Sequence, residues 1–216
     1  MPSTLLRNTS FALFAFAFSQ AAQAGITSFT TNYADWQAAA GATTLVDFET
    51  LPNGAASFAG AAINGANYAS QGVILSSRTN DLKINGNPIG GFGLRAGDFM
   101  FGGPTNIRAD LQGARNAFGI FFPGGTTLSV FDTQGNLLAT NSFSSGGDNF
   151  FMGFVSSTPI AYAISERRYG NYVSDSEYWQ ATTFSANVAA VPEPETYGMM
   201  LAGLGALAWL AKRRKK

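Results

Sequence analysis

Short apolar runs recur about every ten residues between positions 116 and 164, each closed by turn-forming residues. This cadence limits the fold more than any other feature. Phe118, Ile120 and Phe122 alternate with Ala117, Gly119 and Phe121, and Pro123-Gly124-Gly125 ends the run. Thr127 to Phe131 is followed by the turn Asp132-Thr133-Gln134-Gly135, and Leu137 to Phe143 by Ser144-Ser145-Gly146-Gly147. Phe150 to Phe154 and Ile160 to Ile164 continue the series. The gaps are too short for crossover helices, so neighbouring strands must run antiparallel. Earlier, Thr44 to Phe48 and Val73 to Ser76 read as strands, and 52–71 as a surface loop rich in Gly, Ala and Asn. Thr182 to Val188 reads as a closing strand. Tyr33 to Ala40 reads as a short helix capped by Thr31 or Asn32.

Composition narrows the chemistry. The chain has 216 residues, with no cysteine and no histidine. Disulfides, thiolate metal sites and imidazole-based nucleophile triads are therefore excluded. The formal charge of zero conceals an asymmetry: 25–190 holds eleven acidic and seven basic residues, a net charge of −4. A mildly acidic middle argues against nucleic acid as a partner.

The two ends read as addresses. Residues 1–24 carry Arg7, an apolar run from Phe11 to Phe18, and a small-residue close at Ala22-Gln23-Ala24, the pattern of a signal peptide. The mature chain is then expected to begin at Gly25. Near the other end, fifteen uncharged residues over 197–211 precede Lys212, Arg213, Arg214, Lys215 and Lys216. At ~1.5 Å per residue such a helix would span roughly 22 Å, against a hydrocarbon core of ~30 Å. Tyr197 and Trp209 would anchor it at the interfaces, with the basic cluster on the cytoplasmic side. The expected fold is thus all-β, an antiparallel jelly-roll or β-sandwich over 25–190. It has one short helix near the mature N-terminus, plus a single C-terminal transmembrane helix.

Pro192-Glu193-Pro194, the apolar stretch and the terminal basic cluster together resemble the PEP-CTERM sorting signal of exported Gram-negative proteins. The resemblance covers 191–216. It implies an exosortase-like processing enzyme as a partner and an inner-membrane tether with the main domain in the periplasm. Release toward the cell surface and its exopolysaccharide would follow. An ordinary membrane anchor is the plainer alternative. A more diffuse resemblance, over most of 46–164, is to exported bacterial jelly-roll domains. It rests on Val46-Asp47-Phe48-Glu49, Leu51-Pro52-Asn53-Gly54, Gly72-Val73-Ile74-Leu75, Phe118-Gly119-Ile120 and Phe151-Met152-Gly153-Phe154.

Within that resemblance Asp47 and Glu49, two apart on an expected strand, would share one face and are candidate ligands of a structural calcium; a solvated strand face is the alternative. No cofactor is expected otherwise. Tyr172, Tyr178 and Trp179 are candidate glycan contacts, because aromatic faces beside polar groups suit sugar rings; the alternative is inward packing. Asp175 and Glu177 are the acidic pair that a glycan hydrolase would need. Arg167-Arg168 reads as a solvated corner, and Gly90-Gly91-Phe92-Gly93 lacks what a phosphate loop requires. The expectation is a non-enzymatic surface or matrix protein touching exopolysaccharide. An exported hydrolase and a purely structural adhesin are the rivals.

Overall fold

The computed structural model of the chain describes residues 25–51, 53–64, 68–86, 91–97, 104–144, 147, 149–169, 172–173, 176–186 and 203–204; for 168–169, 172–173 and 176 only the backbone is described. In chain order come β1 (Ile26–Thr30), α1 (Tyr33–Ala40), β2 (Thr43–Val46), β3 (Val73–Ser77), β4 (Lys83–Gly86), β5 (Phe92–Gly97) and β6 (Ile107–Phe122). There follow β7 (Thr126–Phe131), β8 (Leu137–Phe143), β9 (Phe150–Glu166), β10 (Arg168–Tyr169), β11 (Tyr172–Val173), β12 (Ser176–Trp179) and β13 (Ala181–Ser185). The described residues are mostly β-strand, every named pairing is antiparallel, and α1 lies near the start of the described domain.

β6 and β9 form the spine. They lie side by side from Ile107↔Ser165 to Phe122↔Phe150, and each serves two neighbours on its free edge. On β9 the first half takes β1 and the second half takes β7; on β6 the first half takes β3 and the second half takes β13. With β2 beyond β13 and β8 beyond β7, this makes an eight-stranded sheet. Its register shifts between Asp110 and Arg115 and again between Arg115 and Ala117, the signature of β-bulges that bend a long strand.

Period-two alternation lets the β13–β6–β9 part of the sheet bury both faces. Phe118, Ile120, Phe122, Met152 and Phe154 face one core, which also takes Ile84, Leu94, Ala96 and Trp179 from the three-stranded sheet β12-β5-β4. Ala117, Phe151 and Trp36 of α1 form a second cluster on the opposite face, with Tyr33, Phe121 and Val155 against it. Gly119 and Gly153 are register partners, and they leave the space that the rings fill. A Cβ on Gly153 would lie 2.7 Å from Trp36 Nε1, and one on Gly119 2.7 Å from Phe151 Cζ. Trp36 Nε1 donates to the Phe154 carbonyl at 3.1 Å, so the buried indole keeps a partner.

Several expectations are corrected here. The runs 150–154 and 160–164 are one strand, because Pro159 falls where the ladder shifts and no N–H is demanded of it. The expected strand over 44–48 stops at Val46. Phe48 takes φ +62°, and Asp47 Oδ1 accepts from the Glu49 N–H at 3.1 Å, turning the chain. The stretch 52–71 is not a surface loop throughout: Ala61, Ile63 and Tyr68 are buried in the main core. The closing strand spans Ala181–Ser185, and 187–188 lie outside the described residues. The helix occupies Tyr33–Ala40 as expected, with Asn32 as its cap: Oδ1 accepts from the Asp35 N–H at 3.3 Å.

Candidate functional site

The outward face of β3, β6, β9, β7 and β8 is a surface built across five paired strands. Strand register sets its rows. Ser76, Arg108, Ile164, Ser129 and Thr140 are successive partners across five strands, and Asp110, Tyr162 and Phe131 form the row beside them. Alternation explains why polar residues stand here: Thr127, Ser129 and Phe131 interleave with Leu128 and Val130, which point into the core.

The side chains on this face are already ordered. Thr127 Oγ1 and Ser142 Oγ lie 2.9 Å apart, as do Ser129 Oγ and Thr140 Oγ1. Phe131 and Tyr162 stack at 4.6 Å and 9° between ring planes. The Arg108 guanidinium lies 3.9 Å from the Tyr162 ring centroid and is held by Asp110, with Nη2 to Oδ1 at 2.6 Å and Nε to Oδ2 at 2.9 Å. Arg78 Nη2 donates to Glu166 Oε1 at 3.0 Å. Thr127, Ser129, Phe131, Thr140, Ser142, Ile164 and Glu166 enclose a depression of about 450 Å³. This arrangement offers hydroxyl donors and acceptors beside apolar side chains, held in place by strands.

A second polar cluster is internal. Glu177 on β12 is 2% exposed and accepts from Thr126 Oγ1 at 2.8 Å. Ser165 Oγ, fully buried beside it, accepts from Trp179 Nε1 at 2.6 Å. Burial pushes the Glu177 carboxyl up to about 7, against the opposing pull of hydrogen bonds from Thr126 and Ser165 and the Arg167 charge. The cluster joins the three-stranded sheet to β7 and β9. A carboxyl sealed there cannot face a second one across an open cleft, and Asp175 lies outside the described residues.

The expected site residues scatter. Trp179 is fully buried, so inward packing, the alternative weighed for it, is what the fold adopts, and no ring face is left for a sugar. Tyr178 is half-buried, and its hydroxyl donates to the Gly86 carbonyl at 3.2 Å. Burial and then the Glu49 charge push that hydroxyl up to about 12. Of Tyr172 only the backbone is described, in β11.

Asp47 and Glu49 sit in the turn after β2 rather than on a strand face. Asp47 is bonded within the turn, and Glu49 Oε1 accepts from the Phe92 N–H at 2.7 Å. Among the described residues no three acidic side chains group as metal ligands. Glu49 and Tyr178 do converge on one edge of the three-stranded sheet, although they are 129 positions apart. Gly91, which adjoins Gly90 outside the described residues, takes φ +77° against the Glu49 carboxylate. Arg167 is not a free corner, since its Nη2 donates to the Pro123 carbonyl at 3.3 Å.

The outward sheet face is assembled from strands far apart in sequence, so neighbouring residues barely mark it. Its only local signal is the polar half of the strand alternation at Thr127, Ser129, Thr140 and Ser142.

Pro192, Glu193 and Pro194, the basic cluster from Lys212 to Lys216, and the signal-peptide segment 1–24 lie outside the described residues, as does 197–211 apart from Gly203 and Leu204. Among the described residues no helix is long and apolar enough to cross a membrane.

Comparison with known proteins assigns the tail. Residues 190–215 match the PEP-CTERM protein-sorting motif, which marks the chain as an exported protein. No curated protein matches the chain in sequence. Among solved structures the described domain partly resembles the lectin-binding domain of lectinolysin complexed with Lewis b, at 11% identity and a TM-score of 0.33, over 44% of this chain and 71% of that one. A family 6 carbohydrate-binding module is similar at 15% identity and a TM-score of 0.33, over 53% and 93%. An arabinose-bound α-L-arabinofuranosidase is similar at 10% identity and a TM-score of 0.36, over 67% and 32%. At such scores these are partial geometric likenesses, without weight for the function of this chain.

Proposed function

We propose that the chain is an exosortase substrate, exported through its N-terminal signal peptide and tethered in the inner membrane by 197–211 until the tail is removed. Its sandwich-like, jelly-roll β domain then contacts exopolysaccharide at the cell surface. The observation that carries this reading is the PEP-CTERM match over 190–215, placed directly after the last described strand of the β domain. A fifteen-residue apolar run is short for a permanent span, which suits a temporary tether. The glycan-contacting part of the reading is supported by the ordered hydroxyl and aromatic face across β7, β8 and β9; of the three aromatic residues near 172–179, the buried Trp179 has no part in it. The role is binding and placement, with no catalytic step.

The test follows the chain in its host with the tail intact and with Pro192, Glu193 and Pro194 all changed to Ala. The intact chain is expected to lose the mass of its C-terminal segment and to leave the inner-membrane fraction, and the variant to keep both. Retention of the tail by both forms in the inner membrane would reduce it to a plain anchor and overturn the sorting mechanism.

A further inference from the structure

We infer that the polysaccharide received by the β3–β6–β9–β7–β8 face is uncharged. The inference rests on the glycan-contact reading above and specifies the ligand class of that same face. It follows from how the charges there are already spent. Among the described side chains, two arginines stand on or beside the face, Arg78 and Arg108. Arg108 is held by both oxygens of Asp110 and is stacked on Tyr162. Arg78 is engaged with Glu166 at 3.0 Å. Two cations and two anions cancel locally, so the face presents no net positive field to draw in a uronate, sulfate or phosphate group. An acidic sugar approaching either guanidinium would find an intrachain carboxylate already beside it, Asp110 at Arg108 and Glu166 at Arg78, and Glu166 also lines the depression.

The uncharged groups fit a neutral sugar. In each hydroxyl pair, Thr127 with Ser142 and Ser129 with Thr140, one O–H serves as donor within the pair. The second O–H and the remaining lone pairs stay open to sugar hydroxyls. Phe131 and Ile164 supply apolar contact for the C–H faces of a pyranose. Strands β7, β8 and β9 hold these groups, so little ordering accompanies binding.

The test is affinity electrophoresis of the purified full chain through gels containing uncharged polymers (dextran, a mixed-linkage β-glucan, a galactomannan) or anionic ones (alginate, polygalacturonate, hyaluronate), at low and high salt. Retardation is expected with at least one uncharged polymer and with no anionic one, unchanged by salt. Ser129→Ala with Thr140→Ala should weaken it about ten-fold. An unshifted melting temperature of the variant would show that it is folded. Retardation by anionic polymers, weakened by salt and lost in the double variant, overturns the uncharged class while the face remains a glycan site. Retardation by no polymer, or retardation that the folded double variant retains in full, overturns the glycan-contact reading of this face itself.

Discussion

Two glycines opposite each other on β6 and β9 show how much a single side chain decides in this protein. Gly119 and Gly153 are buried in strands and lack a positive φ, so backbone freedom is not their reason; close approach of Trp36 and Phe151 is. A methyl at position 153 would overlap the indole edge at 2.7 Å and the Phe151 ring at 2.8 Å. Gly153→Ala is therefore expected to lower stability by about 1–3 kcal/mol through overpacking, with a red shift in tryptophan emission as α1 is displaced. Thermal and fluorescence-monitored melting would check this, and an unchanged melting temperature would show that α1 relaxes without loss. In the sequence these residues look like ordinary glycines in apolar strands. Their purpose appears only once α1 lies across them.

At the scale of elements the bulged crossing of β6 and β9 is the least predictable feature. Where the register shifts, Arg115 turns inward to 6% exposure. Its Nη1 donates to the Ser185 carbonyl at 2.8 Å, and its guanidinium carbon lies 5.1 Å from the Phe184 ring centroid. Burial pulls its pKa down, yet its hydrogen bonds tie β13 to the bulge. Arg115→Ala should cost about 2–4 kcal/mol, from lost charged hydrogen bonds and lost packing of the aliphatic stem. The readout is a lower urea midpoint at unchanged slope; a midpoint equal to that of the parent chain would leave the bulge without this role. Strand β8 was legible over its full length as an apolar run closed by Ser and Gly, and α1 from its cap and length. Strand β9 was not, because Ser156-Ser157-Thr158-Pro159 imitates a loop and only the distorted partner strand lets the chain continue.

Across the whole molecule, the small sheet is joined to the large one through the Glu177 cluster, and this makes stability depend on pH. Its carboxyl sits at about 7 in the fold, against about 4.3 for an unperturbed glutamate. The folded state therefore prefers the protonated form. The contribution is fully present below the unfolded value and is lost as pH rises through about 7, a swing of at most about 4 kcal/mol. Asp132, held below its usual range first by the Asn136 side chain, works in the opposite sense at more acid pH and outside this window. The domain is expected to melt higher at pH 5 than at pH 8. Glu177→Gln should flatten that difference and raise the melting temperature at pH 8. Equal pH profiles for the parent and the variant would remove Glu177 as the cause.

Local order alone settled the antiparallel all-β character, the short helix, the absence of cysteine and histidine chemistry, and the sorting tail, because each is written in neighbouring residues. Strand cadence, a capping Asn and a Pro-Glu-Pro motif need no partner to be recognised. Tertiary structure decided which side of each strand meets the core, that Trp179 is buried, and that Asp47 turns back on its own chain. It also brought Thr127, Ser129, Thr140, Ser142 and Tyr162 onto one face. Those outcomes depend on register between strands far apart in sequence, where a shift of one residue exchanges inside for outside.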